Sequence, residues 1–120
     1  MAWSKNAAPD VLARRAWRLA DVEDRLDSLT LRAWVTGRDG QESLIQDGTL
    51  AELLTPGYWA GVLSERGELA PGTVLVSGTI PMREGVDQFA DHWRVELADP
   101  VTGDAISLAY DVVPLPEPIG

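Results

Sequence analysis

With no cysteine and one histidine, His92, in 120 residues, the chain leaves any chemistry to carboxylates, hydroxyls, amides and cationic side chains. Disulfides, thiolate nucleophiles and zinc–cysteine sites are excluded, and one histidine cannot build a multi-histidine metal site within one chain. A metal would have to sit on carboxylates, which suits magnesium or manganese. Glu23, Asp24 and Asp27 lie at near-helical spacing, and Glu96 has Asp99 nearby. Both groups read first as solvated surface charge, so no metal ligand is assigned. His92, between Asp91 and Trp93 in a polar approach to a strand, has the ordinary setting of a surface histidine. Thr79 is different: Gly78 precedes it at the end of an apolar run. A glycine there lets the backbone approach a ligand, and the hydroxyl can donate to a carboxylate or keto oxygen. Trp3, Trp17, Trp34, Trp59 and Trp93 are scattered and not interleaved with basic residues. They read as core or interface anchors and not as base-stacking platforms.

The elements that must position these residues are mostly strands. From Asp10, a plausible N-cap after Pro9, the apolar residues Leu12, Ala16, Leu19 and Leu26 fall at or near helical spacing, which predicts a helix beginning there. From Leu29 the period becomes two, with Leu29, Leu31, Ala33 and Val35 alternating against polar or aromatic neighbours until the turn Gly37-Arg38-Asp39-Gly40. The return strand is expected near Glu42 to Gln46, broken by Gln46-Asp47-Gly48-Thr49, with a short helical stretch over residues 50–54 stopped by Pro56-Gly57. A second short helix is expected from Tyr58 to Ser64. Thr73 to Ile80 is apolar and β-branched, as a buried strand would be, and Pro81 ends it. Trp93 to Ala98 and Ala105 to Val113 pair through Asp99-Pro100-Val101-Thr102-Gly103-Asp104, and the proline-rich tail from Pro114 to Gly120 is extended. The pattern is that of an α+β, mainly β domain with antiparallel pairing, one domain over residues 1–120, with short helices mostly in the first half.

A formal net charge of −9 and a pI near 4.4 repel phosphate backbones and anionic lipids, so nucleic acid and membrane surfaces are not expected partners. No apolar run approaches the roughly 20 residues that cross a bilayer, and the first residues lack the apolar core of a secretory signal. A cytoplasmic protein is expected.

Two stretches carry a resemblance to a known family. Leu44-Ile45-Gln46-Asp47-Gly48-Thr49-Leu50 and Leu69-Ala70-Pro71-Gly72-Thr73-Val74-Leu75-Val76-Ser77-Gly78-Thr79-Ile80-Pro81 are similar, in order and spacing, to segments of the fumarylacetoacetate hydrolase-like proteins. Ser4-Lys5 adds a match to that family's upstream lysine, and Glu96 to Pro100 with Tyr110 resemble a branch of unassigned function. The resemblance implies the second half of that catalytic domain, a truncated β-roll. Lys5 and Thr79 would be catalytic remnants, and Ser4, Gln46, Gly78 and Arg83 would contact substrate, although Arg83 also reads as solvated loop charge. Lys5 would neutralise charge developing beside a carbonyl, and Gln46 would orient substrate or water.

What the resemblance implies for the complete family is hydrolysis of a carbon–carbon bond, or decarboxylation, next to a carbonyl in a small keto acid. Magnesium or manganese would be held by carboxylates upstream of the lysine. Those ligands have no counterpart before Ser4, so this chain alone is expected to hold no cofactor and to be incomplete for catalysis. The alternative is a non-catalytic binding or dimerisation module that keeps the fold. Expected partners are a small carboxylate or keto-acid ligand and a second chain, either a homodimer mate or a complementing polypeptide.

Overall fold

A computed structural model describes residues 7–117. After α1 (Leu19–Val22) a 3-10 turn over Glu23–Ser28 leads into β1 (Thr30–Thr36) and β2 (Glu42–Thr49). A 3-10 turn at Leu50–Glu52 and helix α2 (Pro56–Glu65) follow, and a long irregular stretch separates them from β3 (His92–Ala98) and β4 (Ala105–Asp111). The strands form one antiparallel sheet in the order β2-β1-β3-β4. The architecture is thus α+β and mainly β, as the periodicity implies.

Local chemistry explains both hairpins. In the first, Gly40 takes φ +75°, its N–H donates to Gly37 O at 3.0 Å, and the Asp39 carboxylate accepts from Gln41 N, a side-chain turn of the kind Asp supplies. In the second, Gly103 at φ +76° donates to Asp99 O at 2.8 Å. Helix α2 begins at Pro56 because the Thr55 hydroxyl caps it, accepting from Tyr58 N at 3.1 Å.

The core is small. Ala33 and Val35 from β1 and Ile45 from β2 are buried with Ala90, and Val86, Trp93 and Val95 pack against them. Leu29, Val22 and Ile80 are also buried, outside this cluster. Trp34, on the other face of β1, lies 3.8 Å under the Arg94 guanidinium, which also binds Glu42.

Three expectations are corrected. Residues 9–18 form no helix: Arg15 donates to Ala105 O and to Asp104 across the chain, and Trp17 Nε1 donates to Asp104. These side chains hold the segment as a strap against the β3–β4 hairpin, and Leu12 is 81% exposed. The apolar period at Leu12, Ala16 and Leu19 has no surface to sit on, and packing decides helix formation over propensity. Second, β2 does not stop at Gln46 but continues to Thr49, because β1 pairs with it down to Thr30. Third, residues 73–80 form no strand of the sheet. Their strand-forming composition is met by no partner strand among the described residues.

Among those residues no helix is long and apolar enough to cross a membrane.

Candidate functional site

The candidate residues converge on a fault in the first hairpin. The register of β1 and β2 shifts between Ala33, opposite Gln46, and Trp34, opposite Leu44, which leaves Ile45 as the extra residue of a β-bulge. A bulge breaks the in–out alternation and re-aims side chains. Here it buries two consecutive residues, Ile45 and Gln46. It also turns the Ile45 carbonyl away from β1, where it accepts from Arg83 N at 2.7 Å.

The buried Gln46 carboxamide then clamps the segment that crosses over β2. Its Nε2 donates to Ile80 O at 2.6 Å and to Thr79 Oγ1 at 3.2 Å. Gly48 makes room for this crossing: a Cβ there would lie 3.1 Å from Ile80 Cδ1 and 2.5 Å from Glu52 Oε1. Close approach of backbone is a use of glycine that needs no unusual φ. The glycine expected to serve approach, Gly78, meets nothing within 4 Å of its would-be Cβ, so it opens space beside Thr79 instead.

Gln46 and Thr79 are therefore brought together, with Gly78 and Arg83 on the same crossing segment. Thr79 is exposed, and its hydroxyl proton has no acceptor among the described residues, so it can donate to a carboxylate or carbonyl oxygen. Arg83 is exposed, and its guanidinium makes no ion pair among the described residues. Ser4 and Lys5 lie outside the described residues. Gln46 is a clamp more than a ligand contact, since its amide protons go to Thr79 and Ile80.

Of the carboxylates that could face a metal, Asp99 and Asp24 are held by Arg25. Asp99, 2% exposed, accepts from Arg25 Nε and Nη2 at 2.9 and 2.7 Å through one oxygen and from Val101 N through the other. The Arg25 hydrogen bonds hold its pKa down to about 2. Asp24 pairs with the same guanidinium, and His92 Nδ1 meets Asp111 at 2.8 Å. No three acidic or histidine side chains converge as a metal site needs among the described residues.

A second feature escaped the sequence reading. Beside the crossing segment lies an open groove of about 360 Å³ walled by Leu26, Leu50, Leu53, Leu63, Leu69 and Leu75, with Thr73, Ser77 and Asp27 among its few polar lining residues. Its leucines come from four separate segments, so no local spacing signals it. Only the density of leucine from Leu50 to Leu54 hints at an apolar surface.

Compared with known proteins, residues 1–110 match the family model described as a protein of unknown function (DUF2848). No curated protein and no solved structure matches. The match to DUF2848 overturns the assignment to the fumarylacetoacetate hydrolase-like proteins. The motifs behind that assignment, a Pro-Gly turn before an apolar run and a Gly-Thr at its end, are turn and strand-end chemistry that unrelated chains share. In this chain Thr73 follows Pro71-Gly72 and Ile80 separates Thr79 from Pro81, and the run between is not a sheet strand.

Proposed function

We propose, from the premise that the chain belongs to the DUF2848 family of proteins of unknown function, that it is a binding and assembly module, completed by a second polypeptide. One observation carries the reading. The chain exposes 9254 Å², whereas a compact monomer of its 13.0 kDa would expose about 6,300 Å² by the usual scaling of surface with mass. The radius of gyration, 16.4 Å, likewise exceeds the roughly 14 Å of a compact 120-residue domain.

The character of the excess surface supports the same reading. Val74, Val76 and Phe89 are each at least three-quarters exposed, and the leucine groove stands open beside the first two. Isolated exposed apolar residues are ordinary, but a contiguous apolar patch is the mark of an interaction surface. In the assembly, the unpaired 73–80 segment gains strand partners. Gel filtration with multi-angle light scattering tests this: a mass of at least twice 13.0 kDa is expected at micromolar concentration. A compact monomer that binds no hydrophobic dye would sink the reading.

A further inference from the structure

Residues 73–80 lie in no helix, turn or sheet strand, and the side chains of residues 73–77 alternate. Thr73, Leu75 and Ser77 line the leucine groove. Val74 and Val76 are 82% and 75% exposed, against 45% for Leu75. Among the described residues, no backbone N–H or C=O of residues 74–79 bonds to another backbone group. A β-branched stretch with its backbone groups open is a strand without its ladder, and such an edge recruits another strand.

Resting on the assembly reading above, we infer that the recruit is a second copy of this chain: residues 73–77 of two protomers pair antiparallel about a twofold axis, with Leu75 opposite its own twin. Charge is the first ground. Leu69 to Met82 holds no charged residue in a chain of net charge −9, so two copies can meet along this stretch without bringing like charges together.

Area is the second. The excess surface, about 3,000 Å² against the compact scaling, covers the 1,000–2,500 Å² that each chain of an obligate homodimer contributes to roughly 2,000–5,000 Å² in total.

Self-complementarity fixes the register. A twofold axis normal to the ribbon keeps each row of side chains on its own face, so opposed positions must both be odd or both even. Centring on Leu75 sets Val74 against Val76, apolar with apolar, and Thr73 against Ser77, two small side chains whose hydroxyls donate within their own chain to Glu68 O and Gly78 O. Centring on Val76 would set Leu75 against Ser77 and Val74 against Gly78, wasting the aliphatic contacts.

The absence of native cysteine makes a thiol test clean. Mild oxidation should convert Leu75→Cys largely to a disulfide-linked dimer, because opposed Cβ atoms in such a pair lie about 4.5–5.5 Å apart, near disulfide reach. Val113→Cys, on another exposed stretch, should stay at background. The Val74→Lys/Val76→Lys protein replaces side chains already exposed in the protomer, so its far-UV circular dichroism should be unchanged while association weakens at least a hundredfold. Equal cross-linking at positions 75 and 113, or a double-lysine protein that stays dimeric, would overturn the register and the edge. If the native chain is dimeric in either case, the assembly reading survives. A native chain that is monomeric throughout removes both.

Discussion

Asp99 shows how a single side chain serves the whole fold. Buried at the start of the β3–β4 turn, it takes both Arg25 hydrogen bonds on one oxygen and the Val101 N–H on the other, tying the 3-10 turn before β1 to the far hairpin. Removing Arg25 leaves the buried Asp99 carboxylate without its charge partner, so Arg25→Ala should lower the melting temperature by several degrees. The pH dependence follows from the depressed folded pKa, about 2 against an ordinary 3.8. Above about pH 5 both folded and unfolded chains carry the carboxylate ionised and the pair contributes fully. As pH falls towards 2 the unfolded chain takes up the proton first, and the contribution is lost. Urea midpoints measured between pH 5 and 2 should therefore fall more steeply for the native chain than for Asp99→Asn; parallel slopes would count against this role. Gln46 works on the same principle, since its buried amide is tolerable only because Ile80 O and Thr79 Oγ1 accept its protons. Gln46 and Thr79 were linked in the sequence only through a family resemblance that does not hold, and there as substrate contacts. That they satisfy each other depends on a bulge at Ile45 that no residue type announces.

At the scale of elements, what was legible is what is local. The alternation from Leu29 to Val35 and from Trp93 to Ala98, with Asp-Gly and Gly-Asp turns, predicts both hairpins because pairing partners and turn residues sit side by side in the chain. The failures are the elements whose partners are remote. Leu12, Ala16 and Leu19 have helical spacing, yet Arg15 and Trp17 find Asp104, and those contacts nearly ninety residues away outweigh a weak local preference. Thr73 to Ile80 reads as a strand by composition, but composition does not say whether a neighbouring strand exists. The crossing segment depends on an absent side chain as much as on present ones. Gly48→Ala should destabilise by about 1–3 kcal/mol in urea unfolding, because Glu52 can swing aside but Ile80, 2% exposed, cannot. Gly61→Ala, in helix α2 with nothing within 4 Å, should instead stabilise by roughly 0.5–1 kcal/mol. The same sign for both would contradict the close-approach account.

The whole molecule departs from what its length and composition suggest. At 45% hydrophobic residues the chain has the material for an ordinary core, yet its buried cluster is small and its valines and leucines lie open along one uncharged stretch. Stability on this account is shared between chains, so it should depend on protein concentration. Amide hydrogen exchange of residues 74–77 tests the central claim most directly. At high concentration their amides should be protected in the alternating pattern of an antiparallel pair, and dilution should release them together while the amides of β1 and β3 stay slow. Exchange of residues 74–77 at the rate of an unstructured peptide, at every concentration, would contradict the pairing of this edge.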